Sequence, residues 1–90
     1  MKITNDYLKL CGFKCDVEMN LSAHFWKDDS FEIIDYSSMN LGRDTTWELI
    51  IFGTKARNYG DVRLIANTDD LDKMKLFLNA YDINPDKYFK

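Results

Sequence analysis

The sequence predicts an α+β domain: a short N-terminal helix, a four- to five-stranded antiparallel meander and a C-terminal helix, in two layers with both helices on one sheet face. Three observations carry that prediction. Residues 46–52, T-W-E-L-I-I-F, are apolar at nearly every position of an extended, β-branched and aromatic run, and a strand apolar on both faces belongs inside a sheet. Residues 13–21 alternate instead, with Phe13, Cys15, Val17, Met19 and Leu21 set against Lys14, Asp16, Glu18 and Asn20, the period of a half-buried strand. Leu71, Met74, Phe77, Leu78 and Tyr81 recur at helical spacing and form one apolar face.

At the start, Thr4 and Asn5 are N-cap residue types, Tyr7, Leu8 and Leu10 follow, and Gly12 is the residue favoured just past a helix end. A helix is expected over residues 5–11, too short to persist unless it docks on the sheet. The alternating residues 13–21 have one wet face and belong toward a sheet edge. Residues 23–27, A-H-F-W-K, either continue that strand or begin another after a weak turn at 20–22. Asp28, Asp29 and Ser30 make a hairpin-like link to F-E-I-I-D-Y at 31–36. A loop rich in turn formers at 37–44 delivers the chain to residues 46–52, read as the central strand. The following G-T-K-A-R-N-Y-G-D is a long hairpin connection into V-R-L-I-A at 62–66. Asn67 or Thr68 is expected to cap the closing helix, with Asp69, Asp70 and Asp72 in its first turn, the sign that suits a helix N-terminus. Asn84 and Pro85 should stop it, and Tyr88 and Phe89 predict that the tail packs.

The 90 residues make one domain, 1–90. A chain this size buries only ~60–65% of the surface its unfolded form exposes, so association would help its stability. A hydrophobic content of 46% with 14% aromatics excludes disorder. A net charge of −3 and a pI near 5.0 argue against a general polyanion binder while leaving room for a local basic patch. No apolar run reaches bilayer length and the opening M-K-I-T-N-D lacks a signal core. A cytoplasmic protein with no membrane partner is expected. Cys11 and Cys15 are the only cysteines, too few for a stapled secreted scaffold, and are expected as free thiols.

Chemistry-bearing residues are sparse. His24 is the only histidine; a general base needs a partner and a pocket, and a strand histidine beside Phe25 and Trp26 is expected to be structural. Cys11, Cys15 and His24 would give a zinc site only three ligands, where structural zinc takes four. Glu32 and Glu48 on adjacent strands could form the paired carboxylates of a glycosidase, but Arg63 balances them as an ordinary sheet surface. The run Asp69, Asp70, Asp72 lacks the alternating ligands and the glycine of a calcium loop. No nucleophile elbow, phosphate loop or dinucleotide fingerprint is present. No enzyme, catalytic residue, metal or cofactor is expected.

Two surfaces remain. If Phe31, Ile33, Trp47, Leu49, Ile51, Val62 and Leu64 face the helices, then Ile34, Tyr36, Ile50, Phe52 and Ile65 face outward, rimmed by Glu32, Glu48 and Arg63. An apolar patch beyond ~400 Å² marks a partner surface, so a protein-interaction module is expected, docking a second copy or another protein there. The alternative is nucleic acid bound by Arg43, Lys55, Arg57 and Arg63 with Tyr59 in the 53–63 hairpin, basic groups interleaved with a stacking ring.

The opening I-T-N-D-Y-L-K-L-C-G-F at 3–13, the W-E-L at 47–49 and the closing L-I-A-N-T-D-D-L-D-K-M-K-L-F-L-N-A-Y-D-I at 64–83 resemble a class of small proteins from phage and other mobile elements of gut bacteria. Members of that class begin with an L-x-x-L-G-F helix and end with a strand and a T-x-x-E-L-x-x-L-L-x-L-x-G-I helix; Asp72 and Asp82 stand here where Glu or Gly is expected. The resemblance implies the same helix, meander and helix, and carries no activity with it.

Overall fold

A computed structural model describes residues 1–18, 22–36, 46–52 and 63–90, with backbone alone at residues 18 and 63–65. Its elements run α1 (Asn5–Leu10), β1 (Lys14–Glu18), β2 (Ser22–Trp26), β3 (Phe31–Asp35), β4 (Trp47–Ile51), β5 (Arg63–Asn67) and α2 (Leu71–Ala80), then a 3-10 turn at Pro85–Lys87. The five strands form one antiparallel sheet in the order β1-β2-β3-β4-β5. Both helices bury their apolar side chains against the same sheet face, where Leu8, Leu71, Met74 and Leu78 join Phe25, Phe31, Ile33, Leu49 and Ile51 in one core. The α+β, two-layer architecture is thus as the sequence predicts.

The strand count settles the open question at residues 13–27. They form two strands, β1 and β2, paired from Lys14↔Trp26 to Glu18↔Ser22. The extra strand moves the centre of the sheet: β3, not the 46–52 strand, is the middle one. β4 is still flanked on both sides, by β3 and β5, which is why its sequence is apolar at every position but Glu48. Between Leu49 and Ile50 the register to β5 shifts, Leu49 facing Ala66 and Ile50 facing Leu64. An extra residue on β5 defeats simple two-residue alternation there, so a facing read straight from the sequence does not carry across the shift. The expected loops at 37–44 and 53–61 lie outside the described residues.

Local chemistry sets the helix ends. Thr4 accepts from the Tyr7 N–H and caps α1; Gly12, at φ +90, turns the chain out of it in a conformation that other residues rarely adopt. At α2 the cap is Asp70, rather than Asn67 or Thr68, its carboxylate accepting from Asp72 and Lys73 N–H. Asp69 is drawn away because its carbonyl takes the Ile3 N–H at 2.7 Å, which pins the first residues beside α2. The helix stops at Ala80, before Asn84, because Asp82 takes a left-handed φ of 62 and the Ile83 N–H reaches back to the Leu78 carbonyl.

The tail packs on the helix side of the sheet. Tyr88 meets Phe31 edge-on at 4.8 Å between ring centroids, and Phe89 lies 5.5 Å from Phe13. Polar bonds hold it there: the Tyr88 hydroxyl donates to Asp28 Oδ2 at 2.6 Å, the Tyr7 hydroxyl donates to the Lys90 carbonyl at 2.6 Å, and Lys27 Nζ donates to the Cys11 and Tyr88 carbonyls. Burial, and next the Cys11 thiol, push the Tyr7 hydroxyl up to about 12. Burial and then the Asp28 carboxylate push Tyr88 up as well. Burial works to raise Asp28 too, but hydrogen bonds from Tyr88 and Ser30, with the Lys87 charge, outweigh it and hold its carboxyl below the usual value.

Candidate functional site

Ser22 and His24 are two residues apart on β2, so their side chains share the sheet face turned away from the helices. His24 stands opposite Ile34 on β3, which puts Glu32 diagonal to it on the same face. The three side chains form a chain of hydrogen bonds: Ser22 Oγ to His24 Nε2 at 3.0 Å and His24 Nδ1 to Glu32 Oε1 at 3.0 Å. An ionised carboxylate only accepts, so in the neutral ring Nδ1–H donates to Glu32 and Nε2 is left to accept from the Ser22 hydroxyl. This is the connectivity of a nucleophile, base and carboxylate relay. It is also how a half-buried imidazole is ordinarily satisfied. Acyl transfer further requires N–H donors aimed at a developing oxyanion. β2 is paired on both sides, which commits its backbone N–H groups to the sheet ladder.

The sequence points to His24 but not to Ser22. The sequence sets Glu32 against Glu48 and in the rim of the outward patch, not beside His24. The signal was present in S-x-H with a carboxylate eight residues on, legible only once a hairpin at 28–30 is assumed. Cys11, Cys15 and His24 do not converge. Cys11 is in the core, Cys15 pairs with the core residue Phe25, and His24 is bonded on the opposite face. Both cysteines are free, Cys11 buried and Cys15 exposed. Among the described residues no three His, Cys, Asp or Glu are grouped to hold a metal ion, and no helix is long and apolar enough to cross a membrane.

The expected uncovered patch is corrected. Ile34 is only 3% exposed and Phe52 6%, while Tyr36 and Ile50 are half-buried. The physical reason lies in the registers. Asp16, His24, Ile34, Glu48 and Asn67 form one row across all five strands, so Ile34 is bracketed by the polar side chains of His24 and Glu48. Phe52 donates its N–H to the Ser30 carbonyl and Tyr36 to the Thr46 carbonyl, which extends the β3–β4 ladder past both ends. Glu48 is buried and Glu32 is engaged by His24, so neither is a free rim charge. Glu32 and Glu48 do lie diagonally on adjacent strands, as the sequence suggests. The side chains of Arg63 and Ile65, and all of Arg43, Lys55, Arg57 and Tyr59, lie outside the described residues.

Exposed apolar surface is instead found on α2. Leu71, Met74 and Leu78 are buried, but Phe77 and Tyr81, expected beside them, are 37% and 39% exposed. At about 3.6 residues per turn the seam through Leu71, Met74 and Leu78 is narrow. Phe77 falls to its side, and Tyr81 follows the last helical residue. Leu76 is 68% exposed and sits opposite the seam, with Ala80 exposed one turn on. α2 and its C-cap therefore carry a second stripe, Leu76, Phe77, Ala80 and Tyr81, that is exposed in whole or in part.

The class defined so far is a two-layer α+β meander with a polar relay on one sheet face and an outward apolar helix stripe on the other side. No protein-family model, curated protein or solved structure matches the chain.

Proposed function

We propose that the chain is a non-enzymatic protein-interaction module that docks a partner protein through the outward stripe of α2, in a cytoplasm where its thiols stay reduced. The observation that carries this reading is the exposure of Leu76, Phe77 and Tyr81 on a helix whose inner face is already filled by Leu71, Met74 and Leu78. Aromatic and aliphatic anchors of this kind supply most of the affinity of an interface core, and a helix laid along an apolar groove is a recurrent recognition mode. The test is a photo-crosslinking residue at position 76 in cells. One discrete protein adduct is expected, lost when Phe77→Glu is added. No adduct, or one indifferent to Phe77→Glu, would overturn the reading.

A second reading has one observation behind it, the Ser22–His24–Glu32 relay. Under it the chain is a serine hydrolase, and a fluorophosphonate probe would label wild type and not Ser22→Ala. The interaction reading expects no labelling of either.

A further inference from the structure

β1 ends the sheet, and nothing among the described residues pairs with its outer edge. Lys14, Cys15, Asp16 and Val17 are all exposed, Val17 at 56%. The strand is also regular: all five of its residues pair with β2 in unbroken register, whereas the other edge strand, β5, meets its neighbour across a register shift. A straight open edge offers a row of unpaired backbone N–H and C=O groups to another strand.

We propose that this edge pairs with the β1 edge of a second copy, antiparallel, about a two-fold axis at Cys15. The charge pattern selects both partner and register. With Cys15 on the axis, Lys14 of each copy stands opposite Asp16 of the other, two opposite-charge cross-strand pairs on one face. Shifting the axis to Asp16 sets two carboxylates directly opposite each other at the centre of the contact, flanked by Lys14 facing Glu18, so that register carries a like-charge pair that the Cys15 register lacks. Lys14 and Asp16 alternate in sign two residues apart, so the Cys15 register sets each of these two charges against its opposite, whereas the Asp16 register places a like-charge pair on the axis. The contact is isologous and closes at two. It joins the two sheets into one continuous ten-stranded sheet (five strands from each copy) with both helical layers on the same side. It stands on β1 alone and uses no residue of α2, so it does not depend on the docking role assigned to that helix.

The experiment is sedimentation of the full chain across a concentration series, with helical and sheet content and thermal midpoint checked by circular dichroism for each variant. Wild type is expected to dimerise. Asp16→Lys, which sets lysine against lysine, weakens the dimer about tenfold or more, and Lys14→Asp combined with Asp16→Lys restores it. A short bis-maleimide, reacting with Cys15 as the exposed member of the two cysteines, links wild type into a covalent dimer. It fails with Asp16→Lys and with Cys15→Ser. A monomer at all concentrations overturns the proposal. So does a dimer that Asp16→Lys leaves intact, or one that only Leu76→Lys disrupts, since that places the contact on α2.

Discussion

The two faces of the sheet are built from the same strands by different means. Toward the helices, Phe25, Phe31, Ile33, Leu49 and Ile51 meet Leu8, Met74, Leu78, Tyr88 and Phe89 in one apolar core. Away from them, Ser22, His24 and Glu32 are tied by hydrogen bonds, and Ile34 is the one apolar member of the row from Asp16 to Asn67. Apolar packing is additive over area, whereas a hydrogen bond between groups that water would otherwise serve contributes little net. Stability should therefore reside on the helix side, and the outer face should tolerate change.

The largest expected effect tests that division directly. Phe31→Ala removes a ring packed against Phe13, Tyr88 and Phe89 and should cost about 3–5 kcal/mol, a large part of the stability of a domain this size. Ser22→Ala on the other face should cost about 1 kcal/mol, the loss of one hydrogen bond to a half-buried imidazole. Denaturant melts of the two variants give the ratio. Equal losses would mean that the relay is as structural as the core.

Tyr88→Phe falls between them, because Tyr88 belongs to the core by its ring and to a polar bond by its hydroxyl. Losing the bond to the Asp28 carboxylate should cost about 1–3 kcal/mol. It should also change the acid limb. Asp28 is held below its ordinary 3.8, so its contribution is present above that pH and is lost as pH falls through the lower folded value. In Tyr88→Phe that loss should be shallower, seen as thermal midpoints of wild type and variant converging below about pH 4. Parallel midpoints down to pH 2 would remove Asp28 from the account.

The same division explains what could be read from the chain. The helix side is legible because it rests on periodicity: the α1 cap at Thr4, the turn at Gly12, the alternation of Phe31 and Ile33, and the packed tail ring Tyr88 all follow from local rules. The outer face is not, because it rests on pairing between strands. Ile34 and Phe52 look greasy in sequence, but which neighbours bracket them depends on the β2–β3–β4 register. Ser22 gains meaning only from Glu32, on the next strand. The misplacement of Phe77 and Tyr81 has another cause. A helical period identifies a stripe but not its width, and Leu71, Met74 and Leu78 share the room above the sheet with Leu8, Tyr88 and Phe89.

Leu76→Lys is the smallest expected effect and the sharpest for α2. Leucine and lysine have nearly equal helix propensity. At 68% exposure Leu76 has little burial to lose, so the thermal midpoint should hold, with stability changing within about ±0.5 kcal/mol. Met74→Lys, two residues earlier on the same helix but fully buried, places a charge in the core and should prevent folding. The pair separates a stripe kept apolar for folding from one kept apolar for something else. If Leu76→Lys lowers the midpoint as a core substitution does, the stripe is covered within the chain, and α2 has no free face to offer. If it leaves the midpoint alone while abolishing the crosslink at Phe77, when the photo-reactive group is moved there, the apolar character of Leu76 serves an encounter outside the fold.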